Sequence, residues 1–118
     1  MVLIDQLAEA ALAGDGLRLR TLTHDWHREN PDMELSSPPI STDQRIRTVA
    51  AALVELFAQR AGQIPPSWTA EIGAMSTPTY LLKSATTMRR LREQCEEESP
   101  PPLRRRKLYA PADFLTFA

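Results

Sequence analysis

The chain has 118 residues and a mass of 13.2 kDa, so we expect a single domain over residues 1–118. Hydrophobic residues make up 42% of the chain and charged residues 25%, a globular composition that excludes a disordered or fibrous protein. Fourteen basic residues and fifteen acidic residues leave a net charge of −1, so the chain as a whole is not a polyanion binder.

Three further features narrow the class of protein. The longest apolar run, residues 49–54, ends at Glu55 and is too short to span a bilayer. No basic residue precedes the apolar residues at the N-terminus, so no secretory signal is expected. Cys95 is the only cysteine, which excludes an internal disulfide and a cysteine zinc finger. Together these features predict a cytoplasmic protein.

The first half of the chain predicts three helices. Helical spacing of apolar residues predicts a first helix from Val2 to Ala13, ended by Gly14. Asp15 is a preferred N-cap type for a second helix, which ends before Pro31. An irregular crossing loop is expected over residues 32–40. The apolar residues assigned to the second helix are Leu17, Leu19, Leu22 and Trp26.

The third helix is predicted to be the central helix of the core. Ser41 and Gln44 have the spacing of a capping box at its start, and Gly62 ends it. One apolar face runs along the whole helix. Its members are Ile46, Val49, Ala50, Leu53, Val54 and Phe57.

Proline turns divide the next part of the chain. Pro66 begins a short helix that extends to Ala74 and carries Trp68 and Ile72. Thr77-Pro78 opens a turn, and Ser84 is the expected cap of the following helix, which ends in the three acids Glu96–Glu98. The apolar residues of the turn are Tyr80, Leu81 and Leu82, and those of the helix are Met88, Leu91 and Cys95.

The last segment begins with Ser99 and three consecutive prolines, Pro100–Pro102. Residues 103–108 follow, and Pro111 begins a final turn. This segment is rich in large apolar side chains, so we expect residues 99–118 to pack on the body of the protein. These side chains are Leu103, Leu108, Tyr109, Phe114, Leu115 and Phe117. No stretch alternates long enough to predict a strand. The predicted fold class is all-α, a compact bundle of short helices separated by proline turns.

His24 and His27 are the only histidines, and their spacing places both on one side of the second helix. Two neutral imidazoles three residues apart can share a zinc or nickel ion. A small metal-dependent enzyme is therefore one hypothesis for the function of this chain. A catalytic site needs further ligands, and no His-Glu-x-x-His pattern is present. The favoured interpretation is a solvated polar face opposite Leu22 and Trp26.

Cys95 and the three acids that follow it are candidates for a nucleophile and a metal site, but each also has a structural explanation. Neighbouring carboxylates would raise the pKa of a Cys95 nucleophile, and its position on an apolar face favours a small buried residue. Glu96–Glu98 point in three directions around a helix and cannot converge on one metal ion. A solvated helix end or salt bridges to Arg89, Arg90 or Arg92 are the expected explanation. The glycines form no phosphate-binding loop, and we expect no cofactor.

The strongest local signal is the run Arg104-Arg105-Arg106-Lys107, followed by Tyr109. Residues 1–43 carry three arginines and eight acids, a net of −5, whereas residues 84–118 carry seven basic and five acidic residues, a net of +2. The run therefore has three interpretations: phosphate contacts with Tyr109 stacked on a base, bridges to acids of the same chain, and contacts with a protein partner.

The second half of the chain resembles a family of small, mostly uncharacterised bacterial proteins. The resemblance rests on Pro66-Ser67-Trp68, Thr77-Pro78, the segment from Glu98 to Arg106, and Ala112-Asp113-Phe114-Leu115. Some members resemble the antitoxin-side or accessory partners of nucleotidyltransferase-like proteins encoded beside them. The resemblance implies an interaction role and no catalytic residue.

These observations favour a non-enzymatic, cytoplasmic accessory or regulatory protein that binds a protein partner, in the manner of an antitoxin. The alternative is a nucleic-acid-binding regulator that uses the C-terminal basic segment with Arg89, Arg90 and Arg92. No membrane association is expected. The residues predicted to contact the partner are Arg104, Arg105, Arg106, Lys107 and Tyr109.

Overall fold

The computed structural model describes residues 1–81 and 88–116. Within these ranges the chain forms five helices and two very short strands, which confirms the all-α fold class. The helices are α1 (Ile4–Ala13), α2 (Gly16–Glu29), α3 (Gln44–Ala61), α4 (Arg89–Glu98) and α5 (Pro101–Arg104), and the strands are β1 (Thr79–Tyr80) and β2 (Leu108–Tyr109).

The turn between α1 and α2 follows the prediction. Gly14 ends α1 in the left-handed conformation, at φ 71°, where a glycine has no Cβ penalty. The Asp15 carboxylate accepts a hydrogen bond from the Arg18 backbone N–H and caps α2. Leu17, one of the apolar residues assigned to this helix, does not belong to its buried face, because its side chain is 80% exposed. The buried face of α2 consists instead of Leu19, Thr23 and Trp26.

α3 is the central helix, as predicted. Every residue from Thr48 to Ala58 except Glu55 is buried, and α3 packs against α1, α5 and both 3-10 turns. The predicted capping box at Ser41 is wrong. Asp43 is the N-cap, and its carboxylate accepts from the Arg45 N–H at 2.9 Å, whereas Ser41 Oγ accepts from the Asp43 N–H before the helix begins.

Two 3-10 turns lie beside α3, one within the expected crossing loop and one in place of the predicted short helix. Met33–Leu35 forms the first turn inside the crossing loop. The second turn, Ser67–Glu71, is shorter than the helix predicted over residues 66–74. The indole Nε1–H of Trp68 donates to the Ser36 carbonyl at 2.9 Å and joins the two turns.

β1 and β2 were not expected. They pair in parallel, with Thr79 opposite Leu108 and Tyr80 opposite Tyr109. Each strand has two residues, too short to produce an alternating pattern in the sequence. The assignments made for Leu82, Ser84 and Phe117 lie outside the described residues, and the described part of the following helix begins at Arg89.

The described part of the C-terminal segment contacts the body closely. Leu103 and Leu108 are fully buried, and α5 packs against α3. Ser99 Oγ donates to the Leu108 carbonyl at 3.1 Å and accepts from the Ala110 N–H at 2.9 Å. In the ranges given above, no helix has the length and hydropathy needed to cross a membrane.

Candidate functional site

The four consecutive cations do not form one charged surface. The chain turns sharply after α5, and Lys107 adopts a left-handed conformation at φ 60°. As a result the side chains of Arg105 and Arg106 reach α3, whereas Arg104 reaches the end of α4. The fold thus distributes the predicted cluster over different neighbours.

Arg106 belongs to the interior. Its side chain is 7% exposed, and its guanidinium donates to both carboxylate oxygens of Glu55. The same group donates to the backbone carbonyls of Thr69 at 2.8 Å and Ile72 at 3.3 Å. Arg106 therefore ties the second 3-10 turn to α3, and its predicted place on a partner-binding surface is corrected: its hydrogen bonds and its burial leave it inaccessible to a partner.

Glu55 is the acid that receives two of the arginines. Its side chain is 11% exposed, and Arg105, which is 64% exposed, donates to its Oε1 at 2.9 Å. Burial raises the pKa of Glu55, but the hydrogen bond and charge of Arg106, helped by Thr69 and Arg105, outweigh burial and lower that pKa below its ordinary value. Glu55 is therefore ionised at neutral pH.

Arg104 and Lys107 remain at the surface. The Arg104 guanidinium donates to the Glu97 carbonyl at the end of α4. Lys107 is exposed, and its backbone carbonyl accepts from the Thr79 N–H at 2.9 Å. The backbone of Lys107 is therefore hydrogen-bonded to β1, whereas Arg104 ends α5, the helix that packs against β2.

Tyr109 of β2 lies against Tyr80 of β1, with ring centroids 5.5 Å apart and the rings tilted by 35°. Both rings are half-buried. The Tyr80 hydroxyl donates to the Glu96 carboxylate, and burial together with that hydrogen bond raises the pKa of Tyr80 to about 12. We call Tyr80, Tyr109, Arg104 and Lys107 the basic–aromatic surface.

Tyr80 and Glu55 belong to this region but were not predicted as site residues from the sequence. The contact between Tyr80 and Tyr109 could not be predicted, because local sequence patterns carry no information on the pairing of residues 29 positions apart. Glu55 did carry a usable signal. It is the one charge in an otherwise apolar stretch of α3, and a buried acid needs a basic partner.

The two histidines occupy different environments. His24 is exposed, as predicted for a solvated face. His27 is half-buried, and its ring meets Phe57 edge-on at a centroid distance of 4.5 Å, so its assignment to a solvated face is wrong. Its Nδ1 donates to the Thr23 carbonyl at 2.9 Å. Burial lowers the pKa of His27, and the nearby charge of His24 lowers it further, against the opposing effect of the Thr23 hydrogen bond.

Cys95 is fully buried, as predicted, and burial with the charges of Glu98 and Glu96 raises the pKa of its thiol. The three acids at the end of α4 are exposed. In the described part of the chain the ion pair of this helix joins Arg89 to Glu93 at 3.0 Å instead. No group of three or more His, Cys, Asp or Glu residues in residues 1–81 and 88–116 is arranged to hold a metal ion.

Comparison with known protein families, with curated proteins and with solved structures finds no significant match to this chain.

Proposed function

We propose that this chain is a non-enzymatic accessory or regulatory protein that acts in the cytoplasm and binds a protein partner through its basic–aromatic surface. The regulation we propose is that of an antitoxin, in which the partner is held inactive by the complex. The observation that carries the proposal is the pair of half-buried tyrosines, Tyr80 and Tyr109, with the exposed cations Arg104 and Lys107 in the segment that leads into β2.

Tyrosine and arginine are enriched among the residues that dominate binding energy in protein interfaces. A tyrosine pair that already has a fixed geometry loses little conformational entropy when a partner covers it. The Glu96 carboxylate holds the Tyr80 hydroxyl, which fixes one ring further. The exposed cations Arg104 and Lys107, which precede β2 in the chain, favour a partner with an acidic contact segment.

The test is affinity purification of the tagged full chain from its native host, under several growth conditions. The variant Lys107→Asn with Tyr109→Leu removes one charge and one ring, since asparagine accepts the left-handed backbone of Lys107 and leucine keeps apolar contact. We expect the wild-type chain to retain a stoichiometric protein that the double variant loses.

A matched control uses Arg45→Gln with Leu17→Ala, which removes one exposed cation and one exposed apolar side chain outside this surface. The control variant should retain the partner as the wild-type chain does. Recovery of the chain alone under every condition, or equal retention by both double variants, would contradict the proposal.

The antitoxin-like part is tested by co-expression with the product of the adjacent gene, where the wild-type chain should relieve a growth defect.

Nucleic-acid binding is the competing function. Of the four cations of the run, Arg105 and Arg106 are held by Glu55, which leaves Arg104 and Lys107 of the run, with the exposed Arg89, Arg90 and Arg92 of α4, for phosphates. Three phosphate contacts would make binding about 40-fold weaker when salt is raised from ~50 to ~200 mM. Fluorescence anisotropy with duplex and single-stranded DNA measures this directly, and salt-sensitive binding at micromolar protein would replace our proposal.

A further inference from the structure

A cleft lies on the opposite face of α3 from Glu55, where α2, the end of α3 and the C-terminal turn meet. Its volume is about 420 Å³, and its apolar walls include Phe57, Ala61 and Leu115. Arg60, His24 and His27 line the same cleft. An apolar pocket of this size with a few convergent polar groups is the usual form of a small-molecule site.

The Arg60 guanidinium is oriented by the turn that closes the cleft. Its Nη1 donates to the Phe114 carbonyl at 2.5 Å and its Nη2 to the Ala112 carbonyl at 3.3 Å. A guanidinium has five N–H donors, so these two bonds fix the group and leave three donors. A guanidinium held in this way can bind a carboxylate with little loss of side-chain entropy.

The two histidines add polar atoms of different kinds. His27 uses Nδ1 to donate to the Thr23 carbonyl, so Nε2 is the ring nitrogen left for a ligand. His24 is exposed on the same helix, one turn earlier. The ring of Phe57, against which His27 packs, supplies a flat apolar wall next to these groups.

The net charge of the cleft suits a ligand with one negative charge rather than two. The Arg60 guanidinium is the fixed cation, and the nearby Asp113 carboxylate acts on it electrostatically. Asp113 offsets part of that positive charge, which disfavours a phosphate dianion. We propose that the cleft between α2, α3 and residues 112–116 binds a small monocarboxylate with an aromatic or branched apolar body, its carboxylate on Arg60 and its body against Phe57 and Leu115.

This site is separate from the basic–aromatic surface, so its test is independent of the proposed function. The ¹⁵N-labelled full chain is titrated by NMR with 3-phenylpropanoate, with its neutral amide 3-phenylpropanamide, and with inorganic phosphate. We expect saturable shifts at the amides of His27, Phe57 and Ala61 with the carboxylate. The amide should bind at least ~10-fold more weakly, as expected for the loss of a charged hydrogen bond.

Two variants and one control complete the test. Arg60→Gln should weaken binding of 3-phenylpropanoate at least ~10-fold. Because Arg60 also holds the C-terminal turn, Ala61→Phe is the second variant: it fills the cleft and leaves Arg60 in place, and it should abolish binding. Arg45→Gln removes a cation outside the cleft and should bind as the wild-type chain does. Equal binding of the amide, equally tight binding of phosphate, or unchanged binding by Ala61→Phe would each overturn the proposal.

Discussion

The Arg106 guanidinium donates four hydrogen bonds, two to the Glu55 carboxylate and one each to the carbonyls of Thr69 and Ile72. Replacing Arg106 by methionine keeps most of the side-chain volume but leaves the Glu55 carboxylate and two carbonyls without that donor. Loss of one partner of a buried ion pair costs about 3–5 kcal/mol. Because Arg105 still reaches Glu55, we expect the free energy of unfolding to fall by about 3 kcal/mol for Arg106→Met, measured by urea denaturation.

Arg105→Met is the matched control for that experiment. It removes the neighbouring arginine from the same carboxylate, but Arg105 is 64% exposed. Exposed ion pairs contribute about 0–1 kcal/mol, so the free energy of unfolding should change by less than about 1 kcal/mol. Equal effects of the two substitutions would mean that Arg106 is not the partner that stabilises Glu55.

His27 and Glu55 make stability depend on pH in two separate windows. The pKa of His27 is lowered in the folded protein by burial, so below its ordinary value of about 6.5 the unfolded chain takes up a proton first. Stability is therefore complete above about pH 6.5 and decreases as the pH falls from there through the folded pKa. The pKa of Glu55 is also lowered, so its contribution is lost at more acidic pH, below about 4.5.

Thermal melts between pH 8 and about pH 2 cover both windows. His27→Gln should flatten the change that begins near pH 6.5 and leave the more acidic change in place. His24→Gln is the control, because His24 is exposed, and it should preserve most of the first transition. A His27→Gln variant with the pH profile of the wild-type chain would contradict the assignment.

At the level of elements, the ends of helices were predictable where one local residue decides them. Gly14 and Gly62 end α1 and α3 at positive φ, 71° and 68°, and Asp15 caps α2. The start of α3 was misassigned because both Ser41 and Asp43 are preferred cap types. The backbone decides between them, and its helical conformation begins at Gln44.

Asp43→Ala tests that assignment. It removes the acceptor for the Arg45 N–H, and loss of an N-cap costs about 1 kcal/mol. Ser41→Ala removes a hydrogen bond to the Asp43 N–H before the helix begins, so the loss should be smaller. Urea denaturation of both variants measures the difference. A larger decrease in the free energy of unfolding for Ser41→Ala would support the predicted capping box instead.

Contacts between distant elements could not be predicted in the same way. The pairing of β1 with β2 and the reach of Arg106 to α3 join residues far apart in the sequence. Local patterns determine whether a segment is helical, whereas tertiary packing determines which segments meet. For that reason the basic run is the strongest local signal in the sequence, but local patterns do not determine which of its members lie in the interior and which lie at the surface.

At the level of the whole molecule, the C-terminal segment is the part whose removal tests how the fold is held together. A chain that ends at Glu98 loses Leu103 and Leu108, which are fully buried, and it loses Arg106 from Glu55. The contacts of α5 with α3 and the two hydrogen bonds of Ser99 disappear with them. Without this segment, the apolar surface of α3 that it covers is exposed to water.

We expect this truncation to abolish a cooperative melt or to lower Tm sharply. Truncating one buried leucine alone costs about 2–5 kcal/mol, against a net stability of about 5–15 kcal/mol for a small domain. A loss of ~3 kcal/mol lowers Tm by roughly 12 °C at this size, so Leu103→Ala in the full chain gives a graded comparison. Adding a peptide of residues 99–118 to the truncated chain should restore part of the melt, because its contacts with α3 are non-covalent. A loss of about 1 kcal/mol would lower Tm by more than ~2 °C. If the truncated chain melts within ~2 °C of the full chain, the body folds without the segment, and the segment is an independent recognition peptide.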